Sequence, residues 1–487
     1  MQNQQLRLRH GHKNRAASGY YNSTVSSYYV YSFGCRATQA DSAVLDRQLL
    51  ERGLERAHSA EDADLVVLNT CTVTAEADKD ARAKIRRIQR ENPACKILVT
   101  GCYAQRAPQE LAAIPGVAWV VGNSHKQHVA DIACGPASGG SGFVPLRTLY
   151  SQNVFVDDIF AHTELMAAPV FDGAGYEKTR PNLKVQDGCD NRCSFCVIPF
   201  VRGQSRSLRR EDVLREMDAL VSAGYREVVI SGINLGRWGK DFSPEQRFED
   251  LVRGILDETG VERLRLSSIE PMDWSDELIE HCGSSPRIAR HAHVPLQSGS
   301  DRMLRLMHRK YRPWHYAERI RKIRAAMPDC AIGADVMVGF PGETEADFEE
   351  NRAFIASLPF TYLHVFTYSP REGTPAATMS NQVAPEVKRE RNRILRELAA
   401  GKKQMFQESF VGKKLSTITL SVHEHGFTET LTSNYQKLWS RGEYAPNQIL
   451  SVRVEAVESG EMFGCIERAD TPLRSAFAGQ KPETPVL

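Results

Sequence analysis

Apolar residues fall along this chain in three successive patterns. Between residues 28 and 122, the strand-like runs Tyr28 to Phe33, Leu65 to Asn69 and Lys96 to Thr100 alternate with helical spacing from about Asp41 and from Ala75. Strands alternating with helices predict a parallel α/β sheet. The alternation resumes near Pro181 and runs to about Met405, with strand candidates Leu183 to Gln186, Glu227 to Ser231, Leu264 to Ser267, Ala292 to Leu296, Ile332 to Val338 and Tyr362 to Tyr368. Six strands are too few to close an eight-stranded barrel, so this part reads as a partial (β/α)6 barrel. After Val411 come short runs separated by turn residues, Ser416 to Val422, Gln436 to Ser440 and Gln448 to Val457. They predict a small antiparallel β-barrel.

The run Gly135 to Gly142, GPASGGSG, has the composition of a flexible linker. The expected organisation is therefore a disordered basic tail at 1–27, an α/β domain at 28–135, a linker at 136–178, the partial barrel at 179–408, the small barrel at 409–470 and a tail at 471–487. The first tail carries Arg7, Arg9, Lys13 and Arg15 with no acidic residue, and it lacks the apolar core of a secretory signal.

Composition narrows the class. Of 487 residues 41% are hydrophobic and 25% charged, enough apolar material for several cores, which excludes disorder as the main state. The longest apolar stretch, Leu111 to Val121, is broken by Pro115 and falls short of the ~20 residues needed to span a bilayer. A cytoplasmic protein without a membrane segment is expected. Lys and Arg total 62 against 60 Asp and Glu, so attraction to nucleic acid must come from local patches. The eleven cysteines, an odd number, point to metal or redox chemistry rather than a disulfide framework.

Cys35, Cys71 and Cys102 each lie just past the end of a predicted strand. Parallel strands point one way, so thiols one βαβ unit apart meet at a single sheet edge, where open α/β sheets bind ligands. Zinc with a fourth ligand and a 4Fe-4S cluster with one open iron both fit such a site. Cys95, Cys134, Cys282, Cys330 and Cys465 show no such placement and read as small buried hydrophobes. A second set, Cys189, Cys193 and Cys196, occurs in DGCDNRCSFCVIP after the first strand of the partial barrel. Three thiolates in eight residues suit one metal centre, and no fourth cysteine lies nearby.

This CxxxCxxC, with Phe195 before its last cysteine, resembles the signature of the radical S-adenosylmethionine (radical-SAM) superfamily. The resemblance implies that SAM chelates the open iron of a 4Fe-4S cluster and is cleaved by one electron to a 5'-deoxyadenosyl radical. Polar and glycine residues collect after the barrel strands, the end at which barrel active sites form. Gly232, Asn234, Ser268, Glu270, Gln297 and Gly339 are the candidate SAM contacts among them.

The segments NTCTVTAEAD (Asn69 to Asp78), TGCYAQ (Thr100 to Gln105) and HAHVPLQSGSDRML (His291 to Leu304) narrow the resemblance to the radical-SAM methylthiotransferases. They look like the branch that acts on threonylcarbamoyladenosine in tRNA. That implies an auxiliary 4Fe-4S cluster on Cys35, Cys71 and Cys102, a radical-SAM cluster on Cys189, Cys193 and Cys196, and a C-terminal TRAM barrel. It also implies two SAM per turnover, tRNA as partner, an electron donor such as flavodoxin or ferredoxin, a sulfur source and a monomeric enzyme. Thr38 and Ala43 stand where the family commonly has Asn and Glu. The alternatives are the sister branches acting on isopentenyladenosine tRNA or a ribosomal-protein aspartate, a cobalamin-dependent radical enzyme, and a zinc-stabilised RNA-binding protein. No Asp-x-His-x-x-Gly cobalamin motif is present.

RNA affinity requires basic clusters. Lys79 to Arg90 holds six basic residues and one acid; Lys79, Arg82, Lys84 and Arg86 are its candidate contacts. Arg302 and Arg305 begin a second cluster with Arg309, Lys310 and Arg312, beside Trp314 and Tyr316 as stacking surfaces. Lys388 to Arg396 forms a third. Residues 411–467 carry five basic and seven acidic residues, so Lys437, with Lys413, Lys414 and Arg441 and the rings of Tyr435 and Trp439, would have to gather on one face.

Overall fold

Six strands, β1 (Ser27–Ser32), β2 (Glu55–Arg56), β3 (Leu65–Thr70), β4 (Lys96–Gly101), β5 (Val117–Val121) and β6 (Val154–Phe155), pair in the order β2-β1-β3-β4-β5-β6, all parallel. The structure, a computed structural model, describes residues 25–135, 153–161, 165 and 179–466. The basic tail through residue 24, nearly all of the Gly135 to Gly142 run and the tail at 471–487 lie outside the described residues.

Strand β3 is buried at every position because both sheet faces are covered. Val66 and Leu68 pack with Ile85 and Ile88 of the helix Ala75–Glu91, while Leu65 and Val67 pack with Leu45 and Leu49 of the helix Arg36–Glu51. That second helix begins at Arg36, five residues before the start expected from apolar spacing. Its first turn buries Ala37 and Thr38 rather than large side chains, so it carries little hydrophobic signal. Strand β6 lies inside the span read as linker, yet pairs with Val120 and Val121 as the sixth strand of this sheet.

The central part follows with β7 (Asn182–Lys184), β8 (Gln186–Asp187), β9 (Arg206–Ser207), β10 (Glu227–Ser231), β11 (Arg263–Leu266), β12 (His291–His293), β13 (Ala331–Val338) and β14 (Tyr362–Thr367). Parallel sheets β11-β10-β7 and β12-β13-β14 are joined by bridges Leu264 to Ile288 and Ser268 to His293. The result is the expected partial barrel of six strands, with β7 and β14 as its edges. Alternation along each strand decides its faces. Leu183, Val228, Ile230, Leu264, Leu266, Ala292, Ala334, Val336 and Val365 enter the outer core. The intervening residues, among them Glu227, Arg263, Arg265, His291, His293, Asp335, Tyr362 and His364, therefore line the concave inner face. A closed barrel would fill that space with apolar layers; here it is polar.

The last five strands, β15 (Lys414–Glu424), β16 (Phe427–Thr432), β17 (Lys437–Arg441), β18 (Ile449–Glu458) and β19 (Glu461–Ile466), close a small barrel in the order β15-β16-β17-β19-β18. Its core is Leu415, Leu438, Val452, Val454 and Met462. The barrel is antiparallel as expected at four of its five pairings, and β17 and β19 close it in parallel. Strand β16 carries too few large apolar residues to stand out in the sequence: it is FTETLT, whose threonines are buried by closure. The turn between β16 and β17 reaches the central barrel, where Arg265 Nη1 donates to the Ser433 carbonyl at 3.1 Å. Among the described residues no helix is long and apolar enough to cross a membrane.

Candidate functional site

Because β1, β3 and β4 are adjacent and parallel, their ends bring Cys35, Cys71 and Cys102 to one edge. Gly34, at φ +89°, makes the approach possible: a Cβ there would lie 2.5 Å from the Cys71 Cβ. Thr38 Oγ1 is 3.4 Å from the Cys35 sulfur, and Asn123 Nδ2 donates to the Cys102 sulfur at 3.6 Å. Burial, reinforced by Cys102 and Cys35, pushes the Cys71 thiol up to about 12. Such thiols ionise on binding a metal, which displaces their protons. Cys95, Cys282 and Cys330 pack in apolar cores as expected, whereas Cys134 is exposed and Cys465 only partly buried, against that expectation.

The second set follows β8. Gly188, at φ +74°, turns the chain where a Cβ would strike the Gln204 carbonyl oxygen at 1.8 Å. Arg309 Nη1 donates to the Cys193 sulfur at 3.2 Å and Asn234 Nδ2 to the Cys189 sulfur at 3.7 Å. Burial, then Cys193, pushes the Cys196 thiol up to about 12. Phe195 meets Phe340 edge-on, ring centres 6.4 Å apart. Among the described residues, the set of three His, Cys or carboxylate donors lying within 4.8 Å of one another is His293, Asp335 and His364 on the inner face; neither cysteine set is drawn that tight. Three thiolates on one zinc at 2.3 Å would sit about 3.8 Å apart. Wider thiol triplets with sulfur-directed donors suit a multi-iron cluster.

The two sets adjoin. Val197 and Val201, just after Cys196, pack on Cys102, and the Val201 carbonyl accepts from Asn123 at 2.7 Å. Beneath them lies a buried network that the sequence did not reveal. Asp41 binds Lys126 and Arg202, each at 2.9 Å, and Lys184; Asp187 binds Arg202 at 3.0 Å and Lys184 at 2.9 Å. Burial works to raise the Asp41 pKa, but Lys126, Lys184 and Arg202 outweigh it and hold the carboxyl well below its ordinary range. Three cations against two anions leave a positive surplus beside the thiols, which favours thiolate.

The candidate SAM contacts divide. Asn234 touches Cys189, and Glu270 reaches Cys193 through its ion pair with Arg309. Gly232 packs on Gln186, whose Oε1 accepts from the Asn234 backbone at 2.7 Å. Gln297, at φ 63°, and Ser268 bridge β13 and β12 respectively. Gly339, at φ +70°, lies against the Lys388 side chain, where a Cβ would come within 2.3 Å. The buried Asn234 Oδ1, Gln297 Oε1, Ser231 Oγ and Ser267 Oγ have no hydrogen-bond partner. Native proteins seldom leave such atoms unsatisfied, so a polar ligand at the carboxyl ends of these strands fits the site.

Most of the expected RNA contacts already have partners. Lys79 pairs with Glu76 at 3.1 Å, Arg82 with Glu110 at 2.9 Å, Arg305 with Asp301 at 2.9 Å and Lys437 with Glu429 at 2.7 Å. Lys84 lies over the Tyr31 ring, Arg302 pairs with Asp347, and Arg86 is exposed. Four expectations are corrected. Tyr316 is buried with its hydroxyl on the Val294 carbonyl and offers no stacking surface, and Arg309 belongs to the cysteine site rather than to the surface. Tyr435 turns inward onto His291, ring centres 4.4 Å apart. In the third cluster Arg391 is buried on Glu343. The strand alternation itself, as in RLRL at 263–266 or YLHVFT at 362–367, was the signal that could have marked the polar inner face.

Two family models match the chain: the one described as uncharacterized protein family UPF0004 over residues 27–122 and the Radical SAM superfamily over residues 183–355. Threonylcarbamoyladenosine tRNA methylthiotransferase MtaB of Bacillus subtilis (strain 168) is 37% identical over 440 residues, 87% of this chain and 92% of its own. tRNA-2-methylthio-N(6)-dimethylallyladenosine synthase of Thermobifida fusca (strain YX) is 35% identical over 397 residues, 80% of this chain and 77% of its own. A solved structure of the radical S-adenosylmethionine methyltransferase TsrM from Kitasatospora setae, with tryptophan and a SAM analog bound, covers 82% of this chain and 79% of its own at TM-score 0.52 and 15% identity. At that identity the likeness is one of fold.

Proposed function

This chain belongs to the radical-SAM methylthiotransferases, and from that premise we propose that it replaces the C2 hydrogen of threonylcarbamoyladenosine, at the purine following the anticodon of tRNA, with a methylthio group. Membership makes it an enzyme that uses SAM and a 4Fe-4S cluster. The observation that carries the fuller reading is the adjacency of two three-thiol sites, joined through Val197 and Val201 on Cys102. Two sites match two tasks.

When bound, the cluster and SAM at Cys189, Cys193 and Cys196 supply a 5'-deoxyadenosyl radical, and a second cluster at Cys35, Cys71 and Cys102 supplies the sulfur. The chain's own part is to hold and insulate these groups. Arg309 donates to the Cys193 sulfur and Asn234 to the Cys189 sulfur, while Asn123 donates to the Cys102 sulfur. Asn234 and Gln297 would position SAM through side-chain oxygens that lack other partners, Gly232 through close backbone approach, and Ser268 and Glu270 from the same strand ends, Glu270 while held by Arg309. Arg202, Lys126 and Lys184 keep the region between the sets cationic. A flavodoxin- or ferredoxin-type protein would deliver the electron, and a separate sulfur source would replenish what each turnover consumes. The substrate base must leave its stack to reach the inner face, as enzymes acting on bases require. The unpaired anticodon loop makes that inexpensive.

Identity to the Thermobifida relative keeps the isopentenyladenosine branch as the competing substrate. Mass spectrometry of tRNA nucleosides and ribosomal proteins, from cells with and without the gene, separates the branches. Loss of 2-methylthio-threonylcarbamoyladenosine alone is expected. Loss of the methylthio mark from isopentenyladenosine or from a ribosomal protein, with the threonylcarbamoyl nucleoside unchanged, overturns the assignment.

A further inference from the structure

At the amino-terminal half of the inner face, three guanidiniums gather around one carboxylate and a fourth, Arg36, stands close to them. Arg265 Nε and Arg263 Nη1 donate to the two oxygens of Glu227 at 2.7 and 3.1 Å. Arg180 stands 3.7 Å off, beyond hydrogen-bond reach. Arg36 donates at 3.2 Å to the Tyr435 hydroxyl, a neutral partner, and Arg265 lies 5.4 Å from the centre of the same ring. Glu227, Arg263 and Arg265 are fully buried or nearly so, and the Arg180 side chain is 24% exposed. Arg265 is fully engaged, because its other nitrogens donate to the Ser433 and Thr432 carbonyls. Among the described residues, Arg36 has no carboxylate partner and Arg180 only a share of Glu227 at 3.7 Å.

Arg36 and Arg180 are both partly buried, and a cation partly withdrawn from water without a full counter-charge is disfavoured. The surplus is felt by its neighbours. Burial lowers the Arg180 pKa and Arg265 and Arg36 add to this, against Glu227; His291 is held well below its ordinary range by burial and then by Arg265, with Arg36 and Arg180 contributing. An arriving oxyanion would relieve the strain on all of these groups, and a guanidinium receives a carboxylate through two parallel hydrogen bonds.

Resting on the substrate reading above, we propose that Arg36 and Arg180 form the subsite for the carboxylate of the threonylcarbamoyl group. N6 and C2 flank N1 of the same adenine ring, so a carboxylate on the N6 substituent stays close to the reacting carbon. Arg36 directly follows Cys35, which places the subsite beside the first cysteine set. The site lies on the inner face and is closed by the Ser433 to Gln436 turn, unlike a surface track for backbone phosphate. It also selects: an apolar isopentenyl group would leave Arg36 with only the neutral Tyr435 hydroxyl and Arg180 with only a share of Glu227, and sites built for hydrogen bonding strongly reject analogues that lack the partner.

The test is equilibrium binding of the full chain, reconstituted with iron and sulfide, to anticodon stem-loops carrying threonylcarbamoyladenosine, isopentenyladenosine or plain adenosine. Wild type should prefer the threonylcarbamoyl RNA over the adenosine RNA by about tenfold or more. Arg36→Gln and Arg180→Gln should each cut that preference to about twofold while leaving affinity for the adenosine RNA within about twofold. Arg180→Lys should restore part of it. Arg180 variants also cover the case in which changes next to Cys35 disturb iron loading. Equal losses on both RNAs would mean phosphate contacts and would overturn the subsite, as would an undiminished preference. Tighter binding of the isopentenyl RNA by wild type would instead overturn the substrate reading itself.

Discussion

Arg309 donates from Nη1 to the sulfur of Cys193 across 3.2 Å, while its other nitrogens hold Glu270 and, at 3.2 Å, the Tyr311 hydroxyl. The side chain is buried. A cation placed so close to a cluster-binding thiolate stabilises the more negative, reduced state, and hydrogen bonds to sulfur are among the levers that set cluster potentials.

Arg309→Met should therefore retain iron but shift the potential of the Cys189, Cys193 and Cys196 cluster to more negative values and slow SAM cleavage by roughly 10–100-fold, the usual cost of losing such a supporting contact. Iron analysis, redox titration followed by electron paramagnetic resonance, and 5'-deoxyadenosine production check this together. An unchanged potential would count against the role.

The two cysteine sets should separate functionally. Replacing Cys189, Cys193 and Cys196 by Ala should halve the iron and abolish SAM cleavage. Replacing Cys35, Cys71 and Cys102 should also halve the iron, yet leave SAM cleavage in place with no sulfur reaching the product. Complete iron loss in either triple variant would contradict two independent sites.

Asp41 ties the first domain to the partial barrel through Lys184 and Arg202, and removing one partner of a buried ion network strands the others. Asp41→Asn should lower stability by about 3–5 kcal/mol. Calorimetry of the two variants Asp41→Asn and Asp46→Asn distinguishes this from a general cost of losing acid, since Asp46 pairs with Arg56 nearer the surface and its loss should cost less.

Glu227 supplies a pH dependence with a definite sign. Burial works to raise its pKa, but Arg265, with Arg180 and Arg263, holds it at about 2, below the ordinary 4.5. A depressed carboxyl stabilises the fold above its unfolded pKa, and that contribution, about 3 kcal/mol, is lost as pH falls from about 4.5 through about 2. Glu227→Gln should be less stable at neutral pH and should lose this part of the acid dependence. Unfolding followed across that acid range gives the answer, and parallel wild-type and variant curves would refute it.

Much of this protein was legible in one dimension. Strand and helix periods marked the parallel domain and the six-stranded partial barrel, because local period reflects which face is buried. The cysteines stood out for the same reason: a thiol just past a strand end has its place set by topology alone, so Cys35, Cys71 and Cys102 could be brought together before any coordinate was known. What the period could not supply was β6 within a span that reads as linker, or β16, whose buried threonines depend on barrel closure. Nor could it supply charge pairing across domains. Arg36 and Tyr435 are 399 residues apart, Asp41 and Arg202 161, and Arg309 and Cys193 116. An arginine on the inner face and one on the surface look alike in sequence. Only the tertiary structure decides which of them has lost its water, and hence which must find a carboxylate, a thiolate or a ligand.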